Sequence, residues 1–91
     1  MTMSFTGDLD TDTAQEFSAA VLRTVDAHRE PSVRIDLADV DFLAAAGVRA
    51  LRHCQQYATG QGRRLVVCNP QPSVRHVLEI AAALDLLETA G

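Results

Sequence analysis

A change of period between residues 33 and 58 constrains this chain more than any other feature. Val33-Arg34-Ile35-Asp36-Leu37 alternates apolar and polar side chains, as a strand with one covered face does. Beyond Phe42-Leu43, the buried-type residues Leu51, Cys54 and Ala58, with Val48 beside them, fall on one face of a helix predicted from about Ala45 to Ala58. Gly60-Gln61-Gly62 stops that helix, because glycine accepts the left-handed geometry of a helix end. A strand that runs through a short turn into an amphipathic helix is half of a strand–helix–strand unit. The next segment, Leu65-Val66-Val67-Cys68, is a continuous apolar run suited to an interior strand covered on both faces.

The flanks repeat the pattern. Met3-Ser4-Phe5-Thr6 reads as a strand ended by Gly7. Thr13 and Glu16 have capping-box spacing, and Asp10 and Asp12 place negative charge at the positive end of the helix that follows. Ala14, Phe17, Val21, Val25 and His28 give that helix one face, and Pro31 closes the connection to residues 32–37. Asn69-Pro70 turns the chain, and Pro72 sits at a helix start, where its missing N–H costs nothing. Val74, Val77, Leu78 and Ala81 form the last buried stripe, and Leu84 to Thr89 reads equally as a short strand or a helical turn. Strands alternating with helices of this length predict an α/β fold with helices packed on a central sheet.

Composition removes several function classes. The 91 residues make one small domain, 1–91, whose 47% apolar content is enough for a single aliphatic core. No stretch approaches the roughly 20 apolar residues of a membrane span. The N-terminus lacks a basic-then-apolar signal pattern, so a cytoplasmic protein is the expectation. A net charge of −4 argues against a nucleic-acid binder, which needs clustered cations. Cys54 and Cys68 lack CxxC spacing and read as small buried hydrophobes. His28, His53 and His76 lack ligand spacing, and Asp36, Asp39 and Asp41 read as solvated turn residues without the spacing of a calcium loop. The residues call for no metal, no cofactor and no catalytic group.

The turn itself, Asp41-Phe42-Leu43-Ala44-Ala45-Ala46-Gly47-Val48, is where backbone N–H groups point outward and an anion is welcome. Aligned on Gly47, it resembles the signature loop of the STAS family of sulfate-transporter and anti-sigma-factor-antagonist domains. Antagonists of that family read hydrophobic-Asp-Ser-Ser/Thr-Gly-hydrophobic here, which puts the Asp on Ala44, the phosphorylated Ser on Ala45 and the second hydroxyl on Ala46. Phe5-Thr6-Gly7-Asp8-Leu9-Asp10 is similar to the family's Gly-Glu-Leu-Asp segment, and Gly62-Arg63-Arg64-Leu65-Val66-Val67-Cys68 extends the likeness over nearly the whole chain. The resemblance implies a four- or five-stranded mixed sheet with helices mostly on one face. The family's usual first strand looks absent, which leaves a sheet edge open to pairing in a homodimer.

The resemblance also implies a partner surface made of Asp10, Thr11, Leu43, Ala44, Ala45, Ala46, Gly47, Val48, Arg49 and Arg52, facing an anti-sigma factor, a GHKL-type serine kinase or a related regulatory protein. At the phospho-acceptor position Ala45 has no nucleophilic oxygen, and nothing marks Thr11 or Thr13 as its replacement. Three readings of the alanines stand: a good helix start in a diverged relative, a binder free of phosphate control, or an acceptor engineered away. Asp10 is likewise either a carboxylate on the helix dipole or a partner contact. A non-enzymatic antagonist-like module is the leading expectation. The alternative is a STAS subunit of a larger assembly, such as a phospholipid-transport ABC complex.

Overall fold

The computed structural model of the protein describes residues 1–88. Its elements run β1 (Thr2–Leu9), α1 (Ala14–Ala27), β2 (Ser32–Leu43), α2 (Ala45–Gly60), β3 (Arg64–Cys68), α3 (Pro72–Ile80) and a 3₁₀ turn, Leu84–Leu86. The strands form one sheet in the order β1-β2-β3, and both pairings are parallel. Leu87 adds an isolated parallel bridge to Val67 on the far side of β3. The α/β class therefore holds, with a difference in the sheet: among the described residues there are three parallel strands, where four or five in a mixed sheet were expected. Parallel neighbours need a crossover, and α1 and α2 provide one each.

Period decides which face of the sheet is covered. Val33, Ile35 and Leu37 of β2 are fully buried, and their register partners Leu65 and Val67 of β3 lie beside them. One core cluster joins these residues to Phe17, Val21 and Val25 of α1, Leu51, Cys54 and Ala58 of α2, and Val74 and Leu78 of α3. On the alternate positions Thr2, Ser4 and Arg34 are exposed. Val66 and Cys68 share that second face and are nevertheless buried. The Arg34–Glu88 ion pair, at 2.8 Å, reaches across β3 over them.

Several local expectations are corrected. β1 does not stop at Gly7; it passes through that residue at φ 85° and continues to Leu9. The expected turn before Phe42 is strand as well. β2 runs unbroken to Leu43 and absorbs two extra residues relative to β1, one between Asp36 and Asp39 and one between Val40 and Phe42. Such bulges bend a strand without ending it, so Asp39 and Asp41 belong to β2 and not to a turn. The Thr13–Glu16 capping box does not form, since Thr13 makes no side-chain cap to the helix. Helix α2 continues to Gly60, and the left-handed residue that follows is Gly62, at φ 71°. Ala81 and His28 are exposed at the ends of their expected stripes. The terminal segment is a 3₁₀ turn through Leu86 followed by the Leu87 bridge, and Thr89 lies outside the described residues.

Both cysteines are buried, Cys54 under the sheet-facing side of α2 and Cys68 at the end of β3. Burial pushes both thiols up, because a thiolate would lose its hydration there. Neither thiol is therefore expected to react with a water-soluble disulfide reagent in the native protein, and both should react once denaturant unfolds it. Prompt native reactivity of either one would contradict this packing.

Candidate functional site

The corner where β1 and β2 hand over to helices is built on backbone contacts. Ala44, the residue between β2 and α2, donates its N–H to the Leu9 carbonyl at 3.0 Å. Its own carbonyl accepts the N–H groups of Gly47 and Val48, at 2.9 and 3.1 Å. Alanine offers no oxygen at this cap position and no side-chain cap is made. The N–H groups of Ala45 and Ala46 therefore point out of the helix end, where the aligned peptide dipoles of 16 residues leave partial positive charge.

Gly47 makes this corner possible. A Cβ built on it would lie 2.6 Å from the Leu9 carbonyl oxygen, 2.6 Å from the Leu43 Cδ1 atom and 2.9 Å from the Leu9 Cγ atom. The first turn of α2 is thus pressed against the end of β1 more closely than any other residue would allow.

The expected surface residues separate into two groups. Thr11, Ala45 and Arg49 are exposed, and Asp10, Ala44, Ala46 and Arg52 are half-buried. Leu43, Gly47 and Val48 are buried. These three support the corner from beneath and are not available to a partner, which corrects their expected place on the surface. Leucine at 43 and valine at 48 lie on the core side of their elements, where the hydrophobic effect holds them.

Asp10 is occupied locally. Its carboxylate accepts the N–H groups of Asp12 and Thr13 at 3.0 and 3.1 Å, while the Thr13 hydroxyl oxygen accepts the Asp10 N–H at 2.9 Å. This is a reciprocal cap between positions three apart, displaced by three residues from the expected Thr13–Glu16 pair. The Thr13 hydroxyl donates onward to the Asp8 carbonyl at 2.9 Å. Of the two threonines near the corner, only Thr11 presents its side chain to solvent.

Arg52 is committed too. Its guanidinium grips Asp85 with two bonds, at 2.7 and 3.0 Å, and touches Gln55 at 3.0 Å. The grip ties α2 to the 3₁₀ turn and holds the Asp85 carboxyl below its ordinary value of 3.8. Asp85 lies 33 residues away in the chain, and no sequence pattern pointed to it. Leu9 was also missed, although its carbonyl receives Ala44 and its bulk excludes a side chain at 47. A glycine in the first turns of a helix is costly, and that cost was the available signal for a close approach.

The corner presents methyl groups, outward N–H donors and the Arg49 cation, and it holds no nucleophile at position 45. It cannot accept a phosphoryl group there. Among the described residues no three His, Cys, Asp or Glu side chains gather to hold a metal ion. No described helix is long and apolar enough to cross a membrane.

A family model described as "Mlab, STAS domain" matches residues 1–88. No curated protein matches the sequence. Among solved structures, the anti-sigma factor antagonist SpoIIAA in its unphosphorylated form superposes with a TM-score of 0.82 at 17% identity, covering 99% of this chain and 78% of that one. An anti-sigma factor antagonist from Mycobacterium paratuberculosis gives 0.80 at 23% identity, covering 94% and 72%. A sulfate transporter family protein from Wolinella succinogenes gives 0.75 at 16%, covering 96% and 70%. At these identities the superpositions establish a shared fold.

Two outcomes follow for the corner. Gly47→Ala should destabilise the protein by about 1–3 kcal/mol through overpacking. Gly60→Ala, with nothing within 4 Å of the new methyl, should be neutral or stabilising by up to about 1 kcal/mol; denaturant unfolding of both variants checks the contrast. Asp85→Asn should lower the melting temperature at pH 7. A depressed carboxyl stabilises above its unfolded value and loses that contribution as pH falls through the folded one. The gap to the parent protein should therefore close as the pH drops below 3.8.

Proposed function

We propose a function from the premise that this chain belongs to the STAS domain family: it is a non-enzymatic regulatory module that binds another protein through the α2 corner. The partner on this reading is an anti-sigma factor or a related GHKL-type serine kinase, met in the cytoplasm of a bacterium. The observation that carries the reading is the exposed Ala45 methyl at an uncapped helix start. Exposure is what a contact residue requires, and a methyl cannot be phosphorylated. The likeness to two anti-sigma factor antagonists supports the choice of partner class.

Phosphorylation of a hydroxyl here would add nearly two negative charges to a surface otherwise buried against a partner, and desolvating them would oppose binding. Without the hydroxyl, binding is constitutive. Thr11, Ala44, Ala45, Ala46 and Arg49 form the contact, with Asp10 and Arg52 holding its borders. A second reading, a STAS subunit within a larger transport assembly, is favoured by the likeness to a sulfate transporter family protein.

Affinity capture with the full chain, followed by mass spectrometry, tests the two readings. A GHKL-type ATPase is the expected catch; a transporter ATPase in its place would overturn the antagonist reading in favour of the second. Ala45→Glu should cost the captured complex about 1–3 kcal/mol in affinity by burying an unpaired charge. With ATP and the captured kinase, the parent protein should take up no phosphate, whereas Ala44→Asp combined with Ala45→Ser should be labelled on the new serine. Label on Thr11 of the parent would disprove phosphate-free binding.

A further inference from the structure

The outer edge of β1 is a second surface, on the other side of the strand from β2. β1 pairs only with β2, so this edge has no neighbour among the described strands. Met1 and Leu9 both turn their carbonyls toward the β2 side, to the Arg34 and Ala44 N–H groups at 2.8 and 3.0 Å. Strand residues alternate in the side to which they present N–H and C=O. Thr2, Ser4 and Thr6 therefore direct theirs outward. Asp8 shares their parity, but its carbonyl already accepts the Thr13 hydroxyl. Natural edges are guarded by charges, prolines or bulges on the edge strand. Thr2-Met3-Ser4-Phe5-Thr6 carries no charge and no proline, and the extra residues at the bulges belong to β2.

A groove of about 370 Å³ runs beside this edge, between β1 and α1. Phe5, Phe17 and Ala20 give it apolar lining, with the two phenylalanine rings edge to face at 4.6 Å. Asp8 and Glu16 also line it, and no cation does. A bare backbone edge beside an apolar slot is the arrangement used for strand addition, in which main-chain bonds give affinity and alternate side chains enter pockets.

We infer that β1 receives an added strand from a partner protein: an extended segment with apolar residues at alternate positions and a Lys or Arg that reaches Asp8 or Glu16. Charge complementarity selects this occupant over a second copy of the chain. A copy's β1 offers no cationic side chain and brings another Asp8 to an acidic groove. Its terminal ammonium is bound to Glu30 at 2.7 Å. The inference does not rest on the reading of the α2 corner, although the groove ends at Leu9, the residue that receives Ala44.

The test is amide exchange by NMR on the full labelled chain, with two synthetic probes. One is acetyl-Arg-Val-Thr-Val-Thr-Val-Lys-amide, and the other carries Glu at both charged positions. The basic peptide should slow exchange at Thr2, Ser4 and Thr6 and bind about tenfold more tightly than the acidic one. Ser4→Pro removes an outward N–H and leaves the β2 side intact; it should abolish binding of both peptides. Glu16→Lys, an exposed change that spares folding, should erase or reverse the charge preference. No protection at the three amides, or equal binding of the two peptides to the parent chain, would overturn the inference. So would protection that rises with protein concentration alone, together with a dimer in sedimentation equilibrium, because a second copy would then hold the edge.

Discussion

The contact between the first turn of α2 and the end of β1 governs the rest of the architecture. The Leu9 carbonyl receives the Ala44 N–H, and the same oxygen lies where a Cβ on residue 47 would stand. That approach fixes where α2 begins, and hence which of its side chains meet β2 and β3. It also fixes the height of Ala45 above the sheet. Packing of Leu51, Cys54 and Ala58 stabilises the helix along its length. The hydrophobic effect has no preferred direction, so the position of the corner depends on the hydrogen bond and the missing side chain.

A consequence is that the two bulges of β2 are required rather than incidental. β1 covers Thr2 to Leu9 while β2 covers Arg34 to Leu43 along the same pairing, so β2 needs two more residues over that distance. The surplus bends β2 as it leaves the central part of the sheet, since β3 pairs only as far as Asp36. Beyond that point β2 is a two-stranded ribbon with β1, backed at Ala38 and Asp41 by the Gln71 amide. The corner thus stands on a projecting arm of the sheet, and its residues reach solvent even though Leu43 and Val48 are buried beneath them.

What could be read from the sequence follows the physics of each feature. Strand and helix periods depend on burial of side chains close in the chain, so Val33 to Leu37, Phe17 to Val25 and Leu65 to Cys68 were all legible. The continuous run at β3 is buried on both faces, as its pattern predicts. Features that need two distant segments were not legible. The bulges depend on β1, the Arg52 grip depends on Asp85, and the parallel sense of the sheet depends on the path of the crossovers. The cap at α1 failed for a different reason. Asp10 and Thr13 compete with Thr13 and Glu16 for the same spacing rule, and the former pair wins because the Thr13 hydroxyl also reaches the Asp8 carbonyl. For the α2 corner, the glycine and its neighbours are legible in the sequence, but their division into exposed and supporting residues depends on how α2 packs against the end of β1.

On the proposed reading, the alanines change how the corner responds, while its position stays the same. An uncapped helix start keeps its outward N–H groups and positive potential whether residue 45 carries a hydroxyl or a methyl. A partner carboxylate could therefore still dock there. A hydroxyl gives such a surface two charge states, one that fits a partner and one that opposes it. A methyl leaves only the first. Control over such a protein must then act elsewhere: on its abundance, on its partner, or on another surface of the same molecule. The β1 edge suits that last role because its groove is lined by residues other than the exposed ones of the corner. It is also joined to the corner through Leu9, so a strand added there would bear on the residue against which α2 is set.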